Sequence, residues 1–196
     1  HVIDENKVMH RSIPNGVMRR IPSSDESSAV TSVMQRSTSN TNTCGFFPIT
    51  NPGNITVSST ADSGTGSLRQ AVADVCNADT IVFSVPTAST ITLSSGEISI
   101  GSNMKIHGLD INSFVISGNN TGRIFNVATG KSLTLQNMKL INATSTTNGG
   151  AIYNQGSLFL KNVQFQNTTQ GGTLKKAFSS GTGTSVSLEG NIQFKL

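Results

Sequence analysis

The stretch LTLQNMKLIN, residues 133–142, decides the fold, because a similar stretch, LFLKNVQFQN, follows 25 residues later at 158–167. A third copy, VSLEGNIQF (186–194), contains one additional residue. Apolar residues recur at four places in all three copies: Leu133, Leu158 and Val186; Leu135, Leu160 and Leu188; Met138, Val163 and Ile192; Leu140, Phe165 and Phe194. Because strand side chains alternate between two faces, these four columns are expected to point inward, with Thr134, Phe159 and Ser187 pointing outward.

Two groups of short strands precede these copies. They are IVFSV (81–85), TITLS (90–94) and EISIG (97–101), then MKIHG (104–108), FVISG (114–118) and RIFNV (123–127). A fixed repeat of about 20–30 residues is typical of a solenoid, and three strands per repeat predict a triangular coil whose strands pair in parallel with those of the next coil. A β-sandwich is the alternative, and the aligned repeat argues against it.

We therefore predict an all-β fold, a parallel β-helix, with an N-terminal helical cap and an extended N-terminal arm. The expected coils are 81–103, 104–132, 133–157 and 158–184, with an incomplete coil from 185. The arm or linker covers residues 1–53 and the β-helix 54–196, in which NITVSS, from residue 54, is a short strand. No helical or strand period persists in the arm, which is rich in Ser, Thr and Asn.

One helix is predicted, at about residues 67–77. Ser67 stands at the N-cap position with Gln70 three residues later, which is the spacing of a capping box. Leu68, Ala71, Val72 and Val75 recur at helical spacing and form one apolar face, and Asn77 is the expected stop. So short a helix needs a partner for its apolar face. We expect it to cover the core that begins at Ile81 and Phe83.

Composition excludes several classes of protein. Ser, Thr and Asn make up about a third of the chain and charged residues 12%, which disfavours a helical bundle. The net charge of +4 is spread without a basic run, which disfavours nucleic-acid binding. No apolar run is long enough to span a membrane. The two cysteines, Cys44 and Cys76, have no neighbouring His or Cys, so we expect a disulfide rather than a zinc site.

The chain resembles the right-handed parallel β-helix domains of bacterial surface and secreted proteins, which are often adhesin-like and belong to the pectate-lyase-like superfamily. DSGTGSLRQAVADVCNADTIVF and the strands that follow it carry this resemblance. GGAI at 149–152 is similar to the repeat of polymorphic outer-membrane autotransporter passengers. The companion FxxN motif departs from the pattern, since Asn167 follows Phe165 one place early.

The resemblance implies an extracellular or cell-surface location and either a structural, adhesive role or action on polysaccharides. Lyases of this superfamily need carboxylates that hold Ca²⁺, and its hydrolases need two or three carboxylates close together. After the helix, Asp79, Glu97, Asp110 and Glu189 are scattered and do not recur at one coil spacing. We therefore expect no catalytic residue, no cofactor and no metal. Polysaccharide binding or degradation is the alternative function.

A few residues invite a second interpretation. His107 and Asp110 could form a hydrogen-bonded pair, although a corner residue that satisfies its own backbone is the simpler expectation. Tyr153 is expected to be a packing residue or a contact at the rim. Asn137 with Asn162, and Asn142 with Asn167, occupy equivalent places, so each pair either stacks as a ladder or simply satisfies a turn.

The expected partner is protein. A solenoid has unpaired strand edges at both ends. The helix covers the first end, whereas the sequence stops at IQFKL in mid-coil without a visible cap. We expect either continuation into a larger adhesin or self-association through this end or the arm, with glycans as a further candidate ligand.

Overall fold

The computed structural model describes residues 53–76, 78–171 and 177–195 with side chains, and residues 9–10, 19–20 and 173–174 by backbone. The chain divides into two compact units, His1–Thr43 and Cys44–Leu196, so the division lies ahead of the predicted boundary at residue 53. In the first unit, β1 (Met9–His10) pairs antiparallel with β2 (Arg19–Arg20). The rest of the predicted arm lies outside the described residues.

The second unit is a parallel β-solenoid of about five turns, and 51% of the structure is strand. Its first face begins with β3 (Asn54–Val57), β4 (Asp79–Phe83) and β7 (Met104–His107). The second face begins with β5 (Thr90–Thr92) and β8 (Val115–Ser117). The third face consists of β6 (Ile98–Ile100), β9 (Phe125–Val127), β11 (Ile152–Asn154) and β14 (Phe178–Ser180).

Three long strands continue from the first face around a corner onto the second. They are β10 (Ser132–Ser145), β12 (Ser157–Gln170) and β15 (Ser185–Lys195). The two-residue strand β13 (Thr173–Leu174) pairs antiparallel with the end of β12. All other strand pairs described in this unit are parallel, so the structure is a parallel β-helix and not a β-sandwich. The right-handed winding that the family resemblance implies stays a prediction, and it agrees with the general handedness of parallel crossovers.

The predicted columns of apolar residues are confirmed by the strand register. Leu133 pairs with Leu158 and Leu158 with Val186, and the other three columns follow in the same order. Side chains of these columns in β10 and β12 are buried in one continuous aliphatic core. The additional residue in β15 produces a register shift between Lys161 and Val163 of β12, at the corner.

The first strand of the solenoid lies before the helix. The predicted coils start at about residue 81, but β3 already pairs with β4, joining Ile55 to Ile81 and Val57 to Phe83. Val57 is fully buried in the same core. The strand β3 was predicted, but its position as the first strand of the solenoid was not, because a helix and not two further strands follows it.

The helix α1 (Leu68–Asp74) is shorter than predicted. Ser67 is its N-cap, and the hydroxyl of Ser67 accepts a hydrogen bond from the Gln70 backbone N–H at 3.2 Å. The reciprocal half of the capping box is replaced, since the Gln70 side chain donates to Asp74 at 2.8 Å. Asn77, the expected stop, lies outside the described residues.

The apolar side of α1 packs into the core as predicted. Leu68, Ala71, Val72 and, just after the helix, Val75 are buried. Cys76 follows this segment, whereas Cys44 lies outside the described residues. The disulfide between the two cysteines therefore stays a prediction.

The asparagines at the solenoid corners both form ladders and adopt the turn conformation that Asn favours. Asn162 donates its side-chain amide to the Asn137 side chain at 3.0 Å, and Asn167 donates to Asn142 at 3.2 Å. All four residues have φ between 50° and 54°, the left-handed region that Asn tolerates better than most residues. The two interpretations of these residues are therefore compatible.

Candidate interaction surface at the last coil

The strand β15 is paired on one side only among the described residues. Every second residue of β15 bonds to the β12 side through its backbone. Ser185 N, for example, donates to the carbonyl of Gly156, the residue before β12, at 3.1 Å. In a parallel ladder, alternate residues bond to alternate sides. The backbone groups of Val186 and Leu188 therefore point to the free edge of the sheet.

The apolar columns of the core come to the surface at β15. Leu188 is 52% exposed, although Leu160, its equivalent one coil earlier, is completely buried. Val186 is 37% exposed against 2% for Leu158. Burying an aliphatic or aromatic side chain contributes about 1.5–3 kcal/mol, so a partner that covered these side chains would gain favourable free energy.

Aromatic rings extend to this edge. The Phe194 ring stacks on Phe165 with centroids 5.2 Å apart and an angle of 7° between the planes. Phe178 packs against both rings at 6.1 and 6.2 Å. Phe194 is 43% exposed whereas Phe165 is fully buried, so one side of the stack still faces solvent.

The corner of β15 ends the first asparagine ladder. Gly190 has a φ of 68°, and a Cβ there would lie 2.3 Å from the Asn162 side-chain oxygen. That oxygen accepts a hydrogen bond from the Asn191 backbone at 2.9 Å instead. At the other end of this ladder, Asn137 contacts the His107 ring at 2.9 Å. The ladder is thus complete within the described coils.

At the opposite end of this unit, polar side chains around α1 form a hydrogen-bonded network. The Asp62 carboxylate accepts hydrogen bonds from Arg69 and Ser94, and from both the hydroxyl and the backbone N–H of Ser95. Burial alone would raise the pKa of Asp62, but the hydrogen bonds from Ser95 and Arg69 outweigh it and hold the pKa well below its usual value. Arg69 also donates to the carbonyls of Gly96 and Glu97, at 2.7 and 3.0 Å, which ties α1 to the start of β6.

The four carboxylates considered in the sequence have separate structural partners. Asp79 accepts backbone hydrogen bonds from Gly53 and Cys76, each at 2.8 Å, and Glu189 pairs with Lys161 at the surface. Glu97 pairs with Arg123 and accepts from Asn126 at 2.9 Å. Asp110 accepts from Ser113 at 2.8 Å, and this hydrogen bond lowers the pKa of Asp110. The contacts of Asp79 with Gly53, of Glu97 and of Glu189 join neighbouring coils, whereas the contact of Asp110 lies within one loop.

The hypothetical pair of His107 and Asp110 does not form. The His107 ring contacts Asn137, and the Asp110 carboxylate is bonded to Ser113 instead. His107 is in register with Gln136 of the next coil, so its ring lies beside Asn137, the first residue of the asparagine ladder. Tyr153 is half-buried on the third face, where the Arg123 guanidinium lies 5.4 Å from the ring centroid. This contact fits the packing role expected for Tyr153.

Arg123 is the residue that the sequence interpretation missed. Besides Glu97, it donates to the Asn148 and Gly149 carbonyls and to the Ser145 hydroxyl, so it fastens three successive coils. A faint signal was present in the sequence, because RIFNV (123–127) can be aligned with GAIYN (150–154), and the strand register confirms that Arg123 lies level with a glycine of GGAI. A charged residue at that place in the repeat indicates a contact between coils.

An open groove with a volume of about 340 Å³ lies between α1 and β6. Seven residues line it: Arg69, Val72, Ala73, Ile98, Ser99, Gly101 and Ser102. Arg69 is the one ionisable side chain of this set. Neither the His107 ring nor any of the four carboxylates borders this groove.

Within residues 53–195, as far as they are described, no group of three or more His, Cys, Asp or Glu side chains is placed to hold a metal ion. None of the helices described could cross a membrane. Comparison of the chain with known proteins gives no match to a family model, to a curated protein or to a solved structure.

Proposed function

We propose that the chain is a non-catalytic, structural and adhesive β-helix protein of a bacterial cell surface. In this proposal it is part of a larger adhesin or of a self-assembling surface structure, and its last described coil is where it contacts the rest. The extracellular location rests on the sequence resemblance and on the predicted disulfide.

The observation that carries the proposal is the exposed apolar edge of β15. Leu188 and Phe194 continue columns that are fully buried one coil earlier, and among the described residues no strand pairs with the outer side of β15. Exposed apolar patches next to an unpaired strand edge are typical of protein interfaces. The arrangement favours the addition of a strand, which supplies backbone hydrogen bonds and apolar contacts together.

The structural role also explains where the ionisable residues are used. Arg69, Arg123 and Lys161 bind carboxylates or carbonyls of neighbouring loops and coils. Such contacts stiffen a stack of coils, and stiffness is what an extended surface protein needs from a solenoid.

The test is the size of the protein as a function of concentration, measured by analytical ultracentrifugation and by electron microscopy. We expect association of the wild-type chain to be weakened by Leu188→Asp and unchanged by Ser187→Asp, since Ser187 is an exposed, outward-facing residue on the same strand. A chain that stays monomeric at all concentrations contradicts self-assembly. Cleavage of acidic polysaccharides, with or without Ca²⁺, contradicts the non-catalytic part of the proposal.

A further inference from the structure

We propose that Asn148–Gly149 is a latent deamidation site, which stays unreactive while the coils on both sides of it remain stacked and reacts when they separate. The inference concerns a modification of the chain itself and does not rest on the proposed function. It follows from the hydrogen bonds that hold this peptide group, from the ion pair beside it and from the close packing around Gly149.

The chemistry requires only the two residues and water. The Gly149 nitrogen loses its proton and attacks Cγ of Asn148, which closes a succinimide ring and releases ammonia. Water then opens the ring at either carbonyl and leaves aspartate or isoaspartate. Glycine after asparagine favours this reaction because it has no side chain to hinder the attack. The Asn148 side chain is exposed, so water reaches the ring once it has formed.

Two neighbouring coils hold the peptide group between these residues. The Gly149 N–H donates to the Gln170 side-chain oxygen at 3.0 Å, and Gln170 ends β12 in the following coil. The Asn148 carbonyl accepts from Arg123 Nη2 at 2.7 Å and from Nε at 3.1 Å. Arg123 precedes β9 in the preceding coil. Both polar groups of this peptide unit are therefore bonded to other coils.

Closure of the ring requires this peptide group to turn. The Gly149 nitrogen has to approach Cγ of Asn148 to within about 3–3.5 Å with its lone pair directed at that atom. Turning breaks the hydrogen bonds to Gln170 and Arg123. The space is also restricted, because Gly149 is buried and a Cβ there would lie 2.0 Å from the Ile152 carbonyl oxygen. The stacked conformation therefore disfavours the reaction.

The charge of Arg123 acts in the opposite direction but is compensated. A guanidinium at the Asn148 carbonyl stabilises negative charge on the peptide group and so favours loss of the Gly149 proton. Glu97 forms an ion pair with the same guanidinium, whose side chain is only 11% exposed, so the pair carries no net charge. Restraint of the peptide group therefore outweighs activation while the coils are stacked.

The modification would make separation of these coils irreversible. Isoaspartate lengthens the main chain by one carbon atom between residues 148 and 149. At the next residue, a Cβ on Gly150 would lie 2.3 Å from the Thr169 carbonyl oxygen, so the adjacent coil leaves no room for a longer backbone. A chain that has opened and formed isoaspartate at Asn148 should therefore fail to restack.

The test measures the rate of deamidation at Asn148 in the full 196-residue chain at mildly alkaline pH, by proteolysis and tandem mass spectrometry. Peptide mapping is needed because a second Asn–Gly pair, Asn15–Gly16, lies outside the described residues. We expect Asn148 to react at least about fivefold more slowly in the native chain than in urea, the factor given by one hydrogen bond of ordinary net strength. This comparison needs no variant.

Three variants identify the restraint. Gln170→Ala removes the acceptor of the Gly149 N–H and should accelerate the reaction about fivefold. Gln170→Glu keeps an acceptor oxygen and should react as slowly as the wild type. Asp62→Asn weakens contacts at the far end of this unit and should leave the rate unchanged, which separates local release from a general loss of stability. Thermal melting checks that all three variants are folded.

Equal rates in the native chain and in urea would overturn the inference. So would a Gln170→Ala variant as slow as the wild type, a Gln170→Glu variant as fast as Gln170→Ala, or equal acceleration by Asp62→Asn. After urea is removed, chains with isoaspartate at position 148 should lack the native melting transition. Complete recovery of that transition would show that the coils tolerate the longer backbone and would contradict the irreversible step.

Discussion

At the scale of single residues, close approach between backbones explains the GGAI sequence. A Cβ on Gly150 would lie 2.3 Å from the Thr169 carbonyl oxygen, a contact that no side chain tolerates without movement of the backbone. Ala151, the next residue, is fully buried against the following coil. The small residues of this motif are therefore required by the spacing of adjacent coils.

The first prediction concerns Gly150→Ala. Because the added methyl group meets backbone atoms of the next coil, we expect destabilisation of about 1–3 kcal/mol and a lower melting temperature. The matched control is Gly101→Ala, since nothing lies within 4 Å of a Cβ at Gly101. Thermal and urea unfolding measure both variants. Equal stability of the two would show that the close approach at Gly150 does not constrain the chain.

The second prediction concerns Asp62 and pH. Its pKa in the folded chain lies below the value of about 3.9 expected when unfolded, so its ionised form stabilises the fold above that pH. As the pH falls below about 4, the unfolded state takes up this proton more readily and stability decreases. We expect the melting temperature to fall over this acid range, and to fall less steeply in Asp62→Asn. An unchanged slope in that variant would contradict the assignment.

At the scale of elements, α1 is a cap because only one of its sides is apolar. Val72 is almost completely buried, whereas Ala73, its neighbour in sequence, is exposed. The apolar spacing predicted this from sequence, but the helix end was misplaced because Val75 is buried beyond the last helical turn.

The third prediction compares Val72→Asp with Ala73→Asp. An aspartate at Val72 would be buried without a partner, so we expect a loss of stability on the order of 3 kcal/mol or more. The same change at Ala73 adds an exposed charge to the same helix and should alter stability by less than about 0.5 kcal/mol. Chemical unfolding distinguishes the two. Similar melting of both variants would mean that α1 does not cover the core.

Asn162 contributes to stability in two ways, through its side-chain hydrogen bonds and through its tolerance of a left-handed backbone conformation, and substitutions can separate them. Asn162 donates to Asn137, accepts from the Asn191 backbone, and adopts a φ of 52°. The fourth prediction is that Asn162→Gly loses the hydrogen bonds but keeps the backbone conformation, at a cost of about 1–2 kcal/mol. Asn162→Ala also incurs the left-handed strain and should be about 1–2 kcal/mol less stable than Asn162→Gly. The reverse order in urea unfolding would contradict this account.

At the scale of the whole molecule, the repeated apolar columns are predictable from the sequence, whereas contacts between non-repeated loops are not. The columns through Leu135, Leu160 and Leu188 were readable because a fixed offset places equivalent residues on one inward face. The contacts of Arg123 and Asp62 were not, because they depend on how corner loops of different length meet in space. The place of β3 was missed for the same reason, since its coil contains a helix.

The surface of the last coil was predictable only in part. The repeat placed VSLEGNIQF beside the preceding coil, but which of its side chains are exposed among the described residues required the structure. Val186, Leu188 and Phe194 are exposed, while Ile192 in the same strand is half-buried. An alternating pattern assigns all four residues to one face and does not distinguish their exposure.

The fifth prediction concerns how stability is distributed along the solenoid. Because each coil contacts only its neighbours, a coil with one neighbour should open more readily than a coil with two. The Leu160 N–H bonds to the next strand, whereas the equivalent N–H of Leu188 points to the free edge. In hydrogen exchange followed by mass spectrometry or NMR, Leu188 should therefore exchange much faster than Leu160 in the dilute chain.

Covering the edge should remove most of this difference. When the chain associates, exchange at Leu188 should slow towards that of Leu160, while Leu135 in the middle of the stack stays unchanged as the internal control. Equal protection of Leu188 and Leu160 in the dilute chain would mean that another part of the molecule already covers β15, and that the edge is not free to bind a partner.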